Sequence, residues 1–335
     1  MSVSARLLPT FDELPAFEGI PGCAWALWGE GDELGTVNLL TDEVVRRAAQ
    51  EEIRTGRSVS LNWPLNFPDT PLYGRLAPRF ESFVNPRKRR DEEIHINTQN
   101  SSQWDGLKHF GITKQDVLYQ GVPATSLPVG RFAMPDPANV APEVTKLGIH
   151  NWADHGISGR GVLLDLLGFF SKGGRELPYD PWRADAFSVE DLEACAREEG
   201  VGFRTGDVLL LRVGFIRKFY EASQEAKESL ARPAVNSTYA GIDQSDAMKR
   251  FLWNNHFAAI ASDQPALERW PPLGNDKALH ETLLGLWGMP VGELFDLEGL
   301  AKVCAETGRY TFFFSSWPLN VLGGVASPPN AAAMF

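Results

Sequence analysis

The chain has 335 residues, 43% hydrophobic and 11% aromatic, enough to bury a substantial core in one large domain or two. A formal net charge of −11 gives no basic face for a phosphate backbone, which argues against nucleic acid as a partner. Three widely spaced cysteines, Cys23, Cys195 and Cys304, with no CxxC pair, exclude a disulfide framework and a cysteine zinc site and suit a reducing compartment.

The opening MSVSARLLPTFDELP lacks the apolar core and small-residue cleavage site of a secretory signal. The richest apolar run, residues 161–170, is broken by Asp165 and falls far short of the roughly 20 residues of a membrane span. A cytoplasmic protein with no membrane partner is expected. Residues 1–57 read as an N-terminal helical region. Its helix opens at residues 41–50, where Thr41 caps, acids fill the first turn and arginines follow, as the helix dipole favours.

Residues 58–65 read as a strand. Residues 66–93 then carry prolines, aromatics and a charge run at 87–93, a span too long for an ordinary connection. It reads as a lid, a subunit contact or a solvated insertion. A short apolar strand follows at 161–165, an amphipathic helix at 189–199 with Ser188 as cap, and a buried strand at 207–213. Helical residues 246–255 lead to a strand at 258–261, a helical stretch at 280–287 and a strand at 310–315. The tail is punctuated by Gly323-Gly324 and Pro328-Pro329. Irregular alternation without an internal repeat predicts an α/β fold in a single compact domain, 1–335, rather than a solenoid or a bundle.

Several familiar signals fail. Gly29, Gly31 and Gly35 approach a dinucleotide fingerprint, but the third glycine comes one residue late and no βαβ pattern surrounds them. His280-Glu281 opens like a zincin helix, yet Leu284 stands where the second histidine belongs. The chain has neither a GxSxG elbow nor a Walker A loop.

The chemistry is therefore sought in HINTQNSSQWDGLKH, residues 95–109. If residues 98–105 are extended, Gln99, Ser101, Gln103 and Asp105 share one face, and Gly106 permits a turn that returns His109 over Asp105. A solvated loop is the competing reading. Against it, the lone acid sits among neutral groups, and Trp104 and Leu107 are misplaced on an exposed loop. Trp63, Trp104, Phe110 and Trp152 are candidates to line an apolar pocket, though aromatics are more often core. His155, in the cluster His150-Asp154-His155, is a candidate substrate contact. His95 and His256 receive no role.

Residues 99–109 resemble the pattern HxGTHxDxPxH of the cyclase family, metal-dependent hydrolases such as bacterial kynurenine formamidase and isatin hydrolase. Asp105 takes the place of the aspartate and His109 that of the final histidine. Gln103 and Gln99 stand where the earlier histidines fall, and Leu107 replaces the proline. Further segments resemble the family in the same order: WGEGDELGTVNLLT at 28–41, GRGVLLD at 159–165, GDVLLLR at 206–212, SDQP at 262–265, His280 with Glu293-Leu294, and residues 318–330.

The resemblance implies a swivelling β/β/α fold, a homo-oligomer (dimer or tetramer) and a metal-activated water attacking an amide, imide or lactone carbonyl of a small molecule. It implies Asp105, His280 and Glu293 as metal ligands or site groups, with Gln99 and Gln103 at further ligand positions. His109 is implied as general acid/base, with Asp105 and Glu293 beside it in the catalytic set. Amide oxygens in place of imidazoles weaken the case for zinc and favour manganese or magnesium. Without metal, Asp105 and His109 form an acid/base pair suited to a cyclase, isomerase or lyase. A small-molecule binding protein that has lost turnover is the third expectation.

Overall fold

Apolar runs with no polar interruption set the middle of the fold, because a strand covered on both faces leaves no side for water. The structure, a computed structural model, describes residues 8–134, 136–231, 237–274 and 277–335. Its strands in chain order are β1 (Ser58–Ser60), β2 (Arg79–Val84), β3 (Arg90–His95), β4 (Gln103–Asp105), β5 (Ile157–Leu164), β6 (Ala186–Phe187), β7 (Val208–Leu211), β8 (Gly241–Ile242), β9 (Ala259–Ser262), β10 (Val291–Glu293), β11 (Thr311–Ser316), β12 (Ala326–Ser327) and β13 (Ala331–Met334).

Nine of these strands form one mixed sheet in the order β1-β13-β11-β5-β7-β9-β10-β4-β12. Parallel β5, β7, β9 and β10 make its centre, and their side chains are almost wholly buried. β11, β13 and β1 extend it antiparallel on one side, β4 and β12 on the other. Helix Asp42–Glu52 packs on β5 and β11, and helix Val189–Glu198 packs on β5 and on helix Asp246–Asn254. Thr41 accepts from the Val44 N–H, and Ser188 and Asp191 cap each other reciprocally, so both helices start where their cap chemistry places them. One main core lies under the sheet, with a smaller cluster around Trp63, Phe215 and Tyr239. The result is the α/β single domain expected.

Some segments fold differently from expectation. Residues 58–65 pair regularly only over β1; beyond it the Asn62 side chain donates to the Ala331 carbonyl and the Trp63 N–H donates to the Ser102 hydroxyl, and Pro64 has no N–H to resume a ladder. Among the described residues of the region 1–57 only Asp42–Glu52 is α-helical; Phe11–Glu13 and Gly35–Leu39 are single 3₁₀ turns. Gly35 is held at φ +61°, and a Cβ there would lie 2.0 Å from the Gly288 carbonyl, so this close approach admits glycine alone. Inside the insertion 66–93, a 3₁₀ turn (Leu72–Gly74) precedes an antiparallel hairpin of β2 and β3 that stands apart from the main sheet. The stretch after His280 winds as a π-helix, Glu281–Trp287, with every residue buried; packing on all sides overrides the α geometry that its leucines favour locally. The punctuated tail contributes β12 and β13.

Candidate metal centre

The site begins with a cross-strand pair. In the antiparallel register of β4 and β10, Gln103 faces Glu293 and Asp105 faces Val291, and alternation along β4 puts Gln103 and Asp105 on one face and Trp104 on the other. Gln103 Nε2 donates to Glu293 Oε2 at 2.7 Å. Gly292, beside Glu293, leaves room for this pairing: a Cβ there would meet Ala261 Cβ at 2.4 Å and the Trp104 ring at 2.9 Å.

After Asp105 the chain turns sharply. The His109 N–H donates to the Gly106 carbonyl, returning the imidazole so that its Nε2 lies 3.7 Å from Asp105 Oδ2. Gly106 is required by proximity, since a Cβ would lie 2.5 Å from the Val325 carbonyl. From the start of the π-helix, His280 sends Nε2 to within 3.6 Å of Asp105 Oδ2 and 3.3 Å of Glu293 Oε1. Its Nδ1 meets the buried Glu268 carboxylate at 2.8 and 3.0 Å. Phe110 lies against the His280 ring, 5.5 Å between centroids. A cavity of about 220 Å³ opens beside His109 and Phe110, walled by Ile112, Val117 and Leu118.

Electrostatics follow from burial and these neighbours. Burial pushes Glu293 up to about 7, with the charge of Asp105 adding to it and His280 and Arg75 opposing it. Burial also works against ionisation of Asp105, but His109, His280 and the Gln99 hydrogen bond outweigh it and hold this carboxyl below its ordinary value. His109 is lowered, chiefly by burial and against the pull of Asp105. His280 is raised well above an ordinary imidazole: burial disfavours its charge, but Glu268, Asp105 and Glu293 together prevail.

Asp105, His280 and Glu293 are all buried, and one ligand atom from each lies within 4.8 Å of the others. Asp105 Oδ2 and Gln103 Oε1 are buried with no hydrogen-bond partner. Buried acceptors without donors are costly, and a cation held by Asp105, His280 and Glu293 would satisfy Asp105 Oδ2. Two carboxylates, an amide oxygen and an imidazole fit a divalent metal ion.

The other expected residues are placed as follows. Gln99 reaches the site through a turn, not a strand, and its Nε2 donates to Asp105 Oδ1 at 2.7 Å and lies 3.0 Å from His109 Nδ1. Its Nε2 thus bridges the two. Ser101 leaves the face expected for it, because residues 97–102 turn, and its hydroxyl donates to the Trp63 and Pro64 carbonyls. Trp63 and Trp104 are core residues and not pocket walls. Trp104 packs on Phe295 and Phe314 and donates to Ser316, while Trp63 packs on Phe219 and donates to Tyr220. Trp152 is likewise buried. His155 is exposed at the end of helix His150–His155, its Nδ1 on the Gly156 carbonyl. Glu268, which holds His280, and Arg75, whose charge acts on Glu293, were missed by sequence reasoning, since no local pattern marks them.

A mixed sheet carrying a buried Asp-His-Glu cluster at the joint of β4, β10 and the π-helix defines an α/β protein with a group of side chains that could hold a metal ion. The Putative cyclase family model matches residues 41–269, and the chain belongs to that family. A crystal structure described as a novel cyclase is 30% identical, covering 93% of this chain and 99% of that one, with a TM-score of 0.78. Isatin hydrolase A from Labrenzia aggregata bound to benzyl benzoate shares the fold at 15% identity, covering 89% and 98% of the two chains (TM-score 0.54). An isatin hydrolase bound to the product analogue thioisatinate does so at 12% identity, covering 86% and 94% (TM-score 0.52). No curated protein matches the chain. Among the described residues no helix is long and apolar enough to cross a membrane.

Proposed function

We propose that this chain is a metal-dependent hydrolase of a small cyclic or aryl amide, imide or lactone. The buried Asp105-His280-Glu293 cluster carries this reading. Asp105, His280 and Glu293 would hold the ion, and Gln103 Oε1 offers a further oxygen. The oxygen-rich set suits Mn²⁺ better than Zn²⁺. A divalent cation bound there would polarise a substrate carbonyl and acidify water.

The chain's own groups do the rest. Glu268 accepts from His280 Nδ1–H, so the Nε2 lone pair faces Asp105 and Glu293 when that nitrogen is deprotonated. His109, whose imidazole burial shifts toward its neutral form, takes a proton from the attacking water at a ring nitrogen and returns it to the leaving nitrogen or oxygen. Gln99 keeps Asp105 and His109 in register. That same bridge favours a second reading, a metal-free cyclase or lyase with Asp105 and His109 as acid and base; its product would keep the substrate's mass and its rate would ignore chelators.

The test is metal analysis of protein purified without chelator, followed by assay on an amide and lactone panel. Metal uptake is expected, with Asp105→Asn and His109→Ala lowering turnover by about 10²–10⁴-fold. A protein that takes up neither Mn²⁺ nor Zn²⁺ and hydrolyses nothing overturns the reading; one that binds panel members and is stabilised without turnover is a binding protein. The reading further takes the protein as a cytoplasmic homo-oligomer, with the β2–β3 hairpin as a contact between copies.

A further inference from the structure

Buried arginines in this protein come with carboxylates. Arg160 lies 3.2 Å from Asp207 and 3.5 Å from Glu52, and Arg212 lies 2.9 Å from Asp165 and 2.7 Å from Glu298. Half-buried Arg75, at the edge of the metal-ligand cluster, is different. Its Nη1 donates to the Gln99 backbone carbonyl, and its guanidinium carbon sits 5.1 Å from the centre of the Tyr73 ring. Among the described residues no Asp or Glu oxygen lies within 4.0 Å of it. Through Gln99, whose side chain reaches Asp105 and His109, the carbonyl contact sets Arg75 beside the site, in keeping with its charge opposing the upward shift of Glu293 and adding to the lowering of His109.

A guanidinium has five N–H donors in a planar fork, and here one carbonyl and one ring occupy a minority of them. Both contacts hold the fork in place. The Gln99 carbonyl belongs to the residue that bridges Asp105 and His109, and Tyr73 is itself tied down by donating to the Pro265 carbonyl at 3.0 Å. A preorganised fork of this kind matches two oxygens of one planar anion. The Tyr73 ring against the guanidinium supplies aromatic surface beside the fork.

We propose that Arg75 anchors a carboxylate on an aryl-bearing ligand. Resting on the hydrolase reading, this carboxylate is the one that the reaction creates: water adds to the acyl carbon, the C–N or C–O bond breaks, the proton passes to the leaving nitrogen or oxygen, and the acyl fragment becomes the acid. The fork thus selects substrates whose opened product presents an acid beside an aromatic ring.

Calorimetric titration of the full Mn²⁺-treated chain with benzoate and with benzamide tests this. Wild type is expected to favour benzoate by about tenfold, the scale of one charge-assisted pair. Arg75→Gln should bring the two affinities together, and Arg75→Lys, which keeps charge and loses the fork, should fall between. No benzoate preference in wild type, or an unchanged preference in Arg75→Gln, overturns the anchor. Circular dichroism checks folding; should the glutamine variant unfold, the lysine variant decides, a reduced preference supporting the anchor and an unchanged one refuting it. Metal content and hydrolysis are measured on the same samples. Arg75-dependent benzoate binding without metal uptake or turnover removes the hydrolase reading and leaves the anchor; turnover with Arg75-independent binding does the reverse.

Discussion

Gln99 and Gln103 fill equivalent places in the sequence pattern but do different work. Gln103 donates to Glu293 and leaves Oε1 buried and unpaired, whereas Gln99 spends its amide on Asp105 and His109. The buried, unpaired Oε1 of Gln103 is an oxygen that a cation would satisfy. Restoring an imidazole there, Gln103→His, is expected to raise affinity for Zn²⁺ relative to Mn²⁺ by about tenfold or more, since a borderline nitrogen donor suits zinc; competition titration with both ions would show it. An unchanged ratio would place Gln103 outside the ligand set. Asp105 and His109 were legible in the sequence because four residues and a small Gly106 bring them together locally. Glu268 and Arg75 were not. Glu268 meets His280 through tertiary folding across twelve positions, and Arg75 comes from a segment that reads as a lid, a subunit contact or a solvated insertion, with nothing in it to single out one residue.

Elements that bury uninterrupted apolar runs or carry strong caps were legible in the same way. β7 and β9 are wholly buried, and the helices at Asp42 and Val189 start at their predicted caps. What joins elements was not. Glu199, at the end of helix Val189–Glu198, accepts from the Asp165 N–H at 2.9 Å, while Asp165 caps helix Leu166–Ser171 and pairs with Arg212. Burial, reinforced by the Asp165 charge, pushes Glu199 up to about 8 from its ordinary 4.5, and its Oε2 has no hydrogen-bond partner. Between those pH values the folded chain holds a proton that the unfolded chain has released, so this group lowers stability progressively as pH rises from about 4.5 to 8. Glu199→Gln keeps the accepting oxygen and removes the charge. Its melting temperature should exceed that of wild type by a margin that grows from pH 5 to pH 9, at about 2–4 °C for each kcal/mol recovered. Thermal melts of both proteins at pH 5, 7 and 9 read this directly, and a margin independent of pH would refute it.

At the scale of the whole molecule the β2–β3 hairpin is the feature that a single copy leaves unexplained. Both strands are exposed along their full length, no third strand pairs with them among the described residues, and a lone two-stranded ribbon is marginally stable in water. Phe80 and Ile94, cross-strand partners on one face, are 40% and 45% exposed, and Phe83 and Val84 are exposed as well. Charges are segregated along it: Arg87, Lys88, Arg89 and Arg90 crowd the tip, and Asp91, Glu92, Glu93 and Glu81 follow on the stem. We propose that two such ribbons pair about a twofold axis, which would set tip against stem and let the surface complement itself, as an isologous interface must. Because Arg75 precedes the ribbon and Gln99 follows it, docking would steady both ends of the site loop together. The double substitution Phe80→Ser with Ile94→Ser touches no core residue, and it is expected to lower the molar mass measured by light scattering from that of an oligomer toward the 37.0 kDa of one chain. Salt at about 1 M, where screening acts within roughly 3 Å, should weaken the wild-type assembly through the same charges. A wild-type mass of one chain, or an oligomer indifferent to the double substitution, would show that the ribbon has some other role.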